Sequence, residues 1–248
     1  MTTQHSDYSW PLLRVATALL TVGILMVGGC SPSGHDDYKI DLSADPQSAA
    51  RLLVTQDING KPASKGMMHA HILSADQLAL YHEHPQQRET GKFALDLAEH
   101  AAGEYDIWIE ITTSEGHADA VLKRFTMNLP GKTASTQDAG AARIALQPIK
   151  LELKPAGSVS NLEFLLLLDG SPVTQFGKFI GVEVHTFAVS NDRQWFKHDH
   201  AEPKGGGKVD AHFRFPKAGE YVIFLQPTVV AEDSRELRPM LRFKVTVP

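Results

Sequence analysis

The chain repeats itself, and the repeat carries histidines. Aligning residues 69–110 with residues 185–226 at a constant offset of 116, without a gap, pairs His69 with His185, Ser74 with Ser190, Asp76 with Asp192, His82 with His198 and His84 with His200. The same register pairs Gly91-Lys92 with Gly207-Lys208, Ala102-Gly103-Glu104-Tyr105 with Ala218-Gly219-Glu220-Tyr221, and Ile107 with Ile223. These are 12 identities over 42 positions. Unrelated segments give roughly two or three, so an internal duplication is the economical reading. Any fold must therefore accommodate two copies of one module, each with a His, an acidic turn and an H-x-H.

Residues 1–30 read as an export signal and stand outside the fold. Arg14 precedes an apolar run from Val15 to Val27 that is short for a bilayer span and ends in small residues. Val27-Gly28-Gly29-Cys30 resembles the bacterial lipobox, with Val27 where Leu is commoner. Cys30 is the chain's one cysteine, so no internal disulfide exists, and lipidation gives an otherwise unpaired thiol in an exported chain a role. Ser31 after it suggests the outer membrane, facing the periplasm, in a Gram-negative cell.

About 218 residues follow Cys30, enough for two domains of roughly 100 residues with their own cores. A net charge of -5 without basic runs argues against nucleic acid and against an electrostatic membrane patch, leaving the lipid as the membrane contact. The expected layout is a polar tether at 31–39, a first module at 40–130, a linker at 131–142 and a second module at 143–248.

Both modules read as strand. Asn59-Gly60 and Asp169-Gly170 follow apolar runs and mark tight turns, because these residues tolerate positive φ. Alternation in Phe93, Leu95 and Leu97, in Tyr105, Ile107 and Ile109, and in Val209, Ala211, Phe213 and Tyr221, Ile223, Leu225 predicts half-buried strands. The two Ala-Gly-Glu-Tyr motifs look like the tyrosine corner of immunoglobulin-type sandwiches. The expected class is all-β: two tandem immunoglobulin-like β-sandwich modules. Pro46–Arg51 fits no strand pattern and could form a helical turn. The second module carries about six extra residues between Pro172 and His185, beside its histidines, so the two copies need not be equivalent.

A four-residue turn at Ser74–Gln77 places His69 opposite His82 and His71 opposite Leu80; its counterpart places His185 opposite His198 and Phe187 opposite Phe196. Paired residues share a face with Cβ atoms about 4.5–5.5 Å apart, and His84 or His200 lies two residues on along it. Three imidazoles then converge in each copy, with His71 joining the first. Such a cluster suits Cu(II), Zn(II) or Ni(II). Met68 is a candidate soft donor that would tune the first site toward Cu(I). Asp76 and Asp192 read as turn residues. The same face carries Leu73, Leu80, Val189 and Phe196, so the histidines fit equally a structural role at the rim of a core.

The string from Met68-His69-Ala70-His71-Ile72 through Tyr81-His82-Glu83-His84-Pro85, with Phe93 and Ala102-Gly103-Glu104-Tyr105, resembles the YtkA-like group of secreted bacterial domains, and more loosely periplasmic copper-resistance sandwiches. The resemblance implies an immunoglobulin-like sandwich linked to copper or heavy-metal handling, with His69, His82, His84, His185, His198 and His200 as the matching positions. In the second copy Ala201 replaces the proline after H-x-H, and Phe187 replaces His71. The expected function is an exported lipoprotein that binds copper, or else zinc, as a carrier, buffer or delivery partner for an envelope metal-handling or copper protein. The competing expectation is a metal-free envelope scaffold or interaction module with structural histidines. Catalysis is not expected, because the carboxylates that both copies keep in the H-x-H segments, Glu83 and Asp199, point to the opposite strand face.

Overall fold

A computed structural model describes residues 37–98, 100–112, 121–129 and 143–248. The expected export signal, Cys30, most of the expected tether and the expected linker lie outside the described residues. The first module contains β1 (Tyr38–Asp45), β2 (Ser48–Ile58), β3 (Lys61–Pro62), β4 (Met67–Ser74), β5 (Leu80–Glu83), β6 (Gln86–Glu89), β7 (Lys92–Asp96), β8 (Gly103–Thr112) and β9 (Val121–Leu129). The second contains β10 (Ile144–Glu152), β11 (Val159–Leu168), β12 (Ser171–Pro172), β13 (Val184–Ser190), β14 (Phe196–His200), β15 (Glu202–Gly205), β16 (Lys208–Arg214), β17 (Gly219–Pro227), β18 (Val229–Val230), β19 (Glu236–Leu237) and β20 (Leu241–Val247).

Each module is a sandwich of two antiparallel sheets. The first has one sheet in the order β1-β2-β7-β6 and another in the order β5-β4-β8-β9; the second repeats this as β10-β11-β16-β15 and β14-β13-β17-β20. Ile40, Val54, Phe93 and Leu95 from one sheet meet Met68, Ile72, Ile107 and Ile109 from the other to form the first core. Phe164, Leu166, Phe213, Tyr221 and Ile223 build the second in the same way. The chain is thus all-β, with two tandem immunoglobulin-like modules.

Local chemistry explains the repeated residues. Asn59 and Gly60 (φ 53° and 76°) and Asp169 and Gly170 (49° and 84°) occupy left-handed turn conformations. The Tyr105 hydroxyl donates to Ala101 O at 3.1 Å and that of Tyr221 to Lys217 O at 2.8 Å, so both tyrosine corners are formed. Gly91 and Gly207 have positive φ, and a Cβ on either would meet backbone oxygen at 2.7 Å (Gln56) or 2.6 Å (Leu166). Their conservation between the copies is therefore steric. Pro46 and Gln47 do not start a helix. They form the turn between β1 and β2, where Gln47 N donates to Asp45 Oδ1 at 2.8 Å. Tyr38 and Lys39, expected in the tether, already belong to β1.

The two modules are docked, sheet on sheet. β11 alternates between buried and partly exposed residues, as a half-buried strand should, whereas β13 is buried throughout and β4 nearly so. The expectation of half-buried strands fails in the same way for β8 and β17. Their second faces meet across the module boundary: Leu73, Leu80 and Trp108 pack with Phe187, Val189, Phe196, Val222 and Phe224 in a third core. Trp108 stacks on Phe196 with ring centroids 4.9 Å apart. Polar contacts frame this core. Gln77 Nε2 donates to Asn191 O at 2.7 Å, Arg242 Nε donates to Gln77 O at 2.8 Å, and Arg193 reaches the buried Asp106 carboxylate at 3.2 Å.

Candidate metal centre

The histidine hairpins differ in register from expectation. His71, not His69, stands opposite His82; Leu73 stands opposite Leu80. In the second copy His185 pairs with His200, Phe187 with His198 and Val189 with Phe196. The cause is a longer turn. Ser74 N donates to Ala79 O at 2.9 Å, closing a loop of six residues from Ser74 to Ala79 in which Gln77 takes φ 56°. Asp76 holds that turn, accepting from Ser74 Oγ at 2.6 Å and Leu78 N at 2.9 Å, and Asp192 does the same with Ser190 and Gln194. Because the register moves by two residues, an even number, every histidine keeps its face.

Met68 does not join them. On β4 the alternation sends His69, His71 and Leu73 toward the other module and Met68, Ala70 and Ile72 into the first core, where Met68 is 5% exposed. A residue adjacent to His69 in a strand cannot share its face, so Met68 is a packing residue and not the expected ligand.

The two clusters form one assembly across the module interface. His69 Nδ1 lies 3.0 Å from His82 Nε2, and His185 Nδ1 lies 3.1 Å from His198 Nε2, so the same pair of nitrogens faces in each copy. The His84 ring centroid is 4.6 Å from that of His69, and the His200 centroid is 5.0 Å from that of His185. Three sets of donor nitrogens lie within 4.8 Å of one another: His69, His82 and His84; His185, His198 and His200; and a set spanning both modules, His71, His82 and His198. These clusters could hold a metal ion. Two imidazoles on one tetrahedral ion with bonds of about 2.0–2.1 Å have nitrogens roughly 3.3 Å apart, so the facing pairs need only a small opening.

The first histidine of each H-x-H is held from behind by the opposite module. His82 Nδ1 lies 3.1 Å from Gln226 Oε1, and His198 Nδ1 lies 2.8 Å from Glu110 Oε2. Glu110 and Gln226 are equivalent positions in the repeat. Glu110 Oε2 also meets His71 Nε2 at 2.8 Å. Sequence reasoning missed Glu110 because it sought carboxylates common to both copies. The available signal was a charged residue in the otherwise apolar run Ile107–Ile111, on the face shared with Trp108.

His185 Nε2 lies 3.0 Å from Phe179 O, and a carbonyl only accepts, so Nε2 carries the proton. With Glu110 ionised, His198 donates from Nδ1. Both remaining nitrogens, His185 Nδ1 and His198 Nε2, then present lone pairs to each other at 3.1 Å. That contact needs a positive centre between the rings, either a metal ion or an added proton, or else a proton on Glu110. In the first cluster His84 Nε2 is buried without a hydrogen-bond partner among the described residues.

Burial resists the proton. Removal from water pushes His84 and His185 down to about 4 and drives His82 far below the ordinary imidazole range, with neighbouring imidazoles adding repulsion. The residues inserted in the second module complete the enclosure. Phe179 lies edge-on to His82, His84 and His185 at 5.7–5.9 Å between centroids, and Arg238 covers it at 4.8 Å. Ala201 N donates to Val184 O at 2.9 Å, a bond that a proline there could not make.

Residues 139–246 match the profile of a domain of unknown function, DUF8832. No curated protein matches the sequence. Among solved structures, the chain is similar to a tetra-tandem repeat from the extending region of a large adhesion protein, with 9% identity over 86% of this chain and 50% of that one and a TM-score of 0.30. It thus spans about half the length of that four-repeat chain. It is also similar to a two-domain fibronectin type III segment from chicken tenascin, with 11% identity, 84% and 100% coverage and a TM-score of 0.24. A third likeness is trypsin-activated alpha-2-macroglobulin from Escherichia coli, with 11% identity, 79% and 14% coverage and a TM-score of 0.26.

Proposed function

We propose that this chain is an exported bacterial lipoprotein, anchored through Cys30, that binds a transition metal in its histidine interface and serves as a carrier, buffer or delivery partner in the cell envelope. Copper is the first candidate and zinc the second. The reading rests above all on the 3.1 Å approach of His185 Nδ1 to His198 Nε2, whose lone pairs face each other when Glu110 is ionised and which a cation would join in a site too buried to favour protonation. The resemblance to YtkA-like domains supports the same conclusion, as does the lipobox at Val27–Cys30. With Met68 in the core, the donors are imidazoles alone, which suits Cu(II) or Zn(II) better than Cu(I). Half-buried His84 and His200 mark the side from which an ion would enter. A carrier needs no catalytic step, and the reading assigns none.

The test is equilibrium titration of the full chain with Cu(II) and with Zn(II), beside the variant His82→Ala/His198→Ala. Binding in the parent, its loss in the variant, and a melting temperature that rises with free metal are expected. Equal stoichiometry in both proteins refutes the assignment. A parent that neither binds nor gains stability favours the second reading, an envelope scaffold in which Glu110 and the imidazoles serve only to join the modules, consistent with the bonds from Glu110 to His71 and His198.

A further inference from the structure

The repeat presents two similar triads, but their surroundings differ in one respect that bears on occupancy. The ring behind His198 is held by a carboxylate, Glu110, and the ring behind His82 by an amide, Gln226. An acceptor on the distal nitrogen of a metal-bound imidazole fixes its tautomer and raises its basicity, and such partners alter affinity by about 10- to 100-fold. A carboxylate does this more strongly than an amide, and it also supplies a counter-charge. The triads are also close. The His82 ring centroid lies 4.8 Å from His185 and 5.1 Å from His198, so the two seats adjoin. The shared surroundings are apolar: Phe187 stacks on His198 at 4.8 Å, and His71 lies 4.8 Å from Phe196. Among the described residues lining the imidazole cluster, Glu110 is the one carboxylate placed on the rings.

We propose that the interface takes one divalent ion, seated on His185, His198 and His200, and that Glu110 of the first module is the positioning residue that selects this seat over the His69, His82 and His84 triad. This rests on the metal-binding reading above. Two dications in adjoining seats of a poorly solvated interface repel strongly enough to weaken the second by at least about 100-fold. The sharing of His82 and His198 with the spanning set acts in the same direction, since each ring contributes one ligand atom to one ion at a time. The seat in the second module thus depends on a residue of the first, and the docked pair, rather than either module, is the binding unit.

Zn(II), which has no redox chemistry, is the probe, read by competition with a chromophoric chelator against the full chain. The parent should bind one Zn(II) tightly. His200→Ala should lose at least ten times more affinity than His84→Ala; both side chains sit at the rim of the cluster, so both variants should fold. Exchanging the two supports, in Glu110→Gln/Gln226→Glu, should reverse that order, with the His84→Ala substitution in this background now the more costly. Two ions of similar affinity in the parent, equal losses for His84→Ala and His200→Ala, or an unchanged order after the exchange in folded protein would each overturn the proposal. If the exchanged variant does not fold, the comparison of His84→Ala with His200→Ala decides by itself. A folded parent that takes no Zn(II) or Cu(II) ends the metal reading itself, whereas binding without seat preference ends this inference alone.

Discussion

Phe187 offers a direct measure of whether the modules act as one body. It lies on β13 on the face turned away from the sandwich core of its own module, yet it is fully buried, stacked on His198 with an interplanar angle of 17° and set 5.3 Å from the rings of His71 and His82. A phenyl ring removes about 150–250 Å² from water, worth roughly 4–6 kcal/mol as an upper bound at 25 cal/mol per Å². Truncation of such rings costs about 3–5 kcal/mol. Phe187→Ala should therefore destabilise by about 4 kcal/mol and lower the melting temperature by roughly 8–16 °C for a chain of this size. If the modules were apart, that face would be open to water and the substitution would cost about 0.5 kcal/mol or less. Phe213→Ala, in the second module's own core and 1% exposed, is the control, because it is costly in either case. Urea unfolding followed by tryptophan fluorescence suits the question, since Trp108 is 2% exposed within the interface. A loss below about 1 kcal/mol for Phe187→Ala, beside about 3–5 kcal/mol for Phe213→Ala, would refute the docked interface.

Acid should destabilise the metal-free protein. His84 and His185 are held near 4 when folded and return to about 6.5 when unfolded, so the unfolded chain binds more protons in that window. Their contribution is complete above about pH 6.5 and declines as the pH falls toward 4, and denaturant midpoints measured across that range should fall monotonically; a flat profile would contradict the burial of these rings. Gly207→Ala should cost about 2 kcal/mol by denaturant unfolding, since φ is +77° and the new Cβ would meet Leu166 O at 2.6 Å. Met68→Leu should change stability by less than about 1.5 kcal/mol and leave metal affinity unaltered in the same titration, as expected of a core residue.

What the sequence made legible and what it hid follow from the range of the interactions. The duplication, the turns at Asn59 and Asp169, the tyrosine corners and the structural role of Asp76 and Asp192 are local or repeated, and pattern alone finds them. Convergence of the imidazoles was legible too, because face parity survives an even shift in register. The shift itself was not. It depends on the Ser74 hydroxyl accepting from Ala79 N at 3.0 Å, which favours a six-residue loop over a four-residue turn. The core position of Met68 was legible from strand parity, since it alternates with His69 and His71. The docking of the modules was hidden because a strand buried on both faces was read from one of its two alternations: Tyr105, Ile107 and Ile109 were noticed, while Trp108 and Glu110 on the other face carry the interface.

The two copies also differ where symmetry would be costly. An interface between identical subunits repeats every contact with the roles exchanged, so a charge near its axis meets its own copy. Here Glu110 corresponds to Gln226 and Asp106 to Val222, while Arg193, which reaches Asp106, corresponds to Gln77. Each buried charge is thus present once. Asp106 is held by Arg124 at 2.8 Å and Thr126 at 2.6 Å besides Arg193, so its burial is compensated; a second carboxylate at position 222 would stand in the apolar third core with no arginine at position 77. Glu110 is compensated by two imidazoles, and a matching glutamate at position 226 would add a second buried anion to the same cluster. Covalent linkage of the copies removes the requirement for identity and so permits Glu110 to stand beneath one of two similar triads with an amide beneath the other, a charge pattern suited to one cation and poorly suited to two.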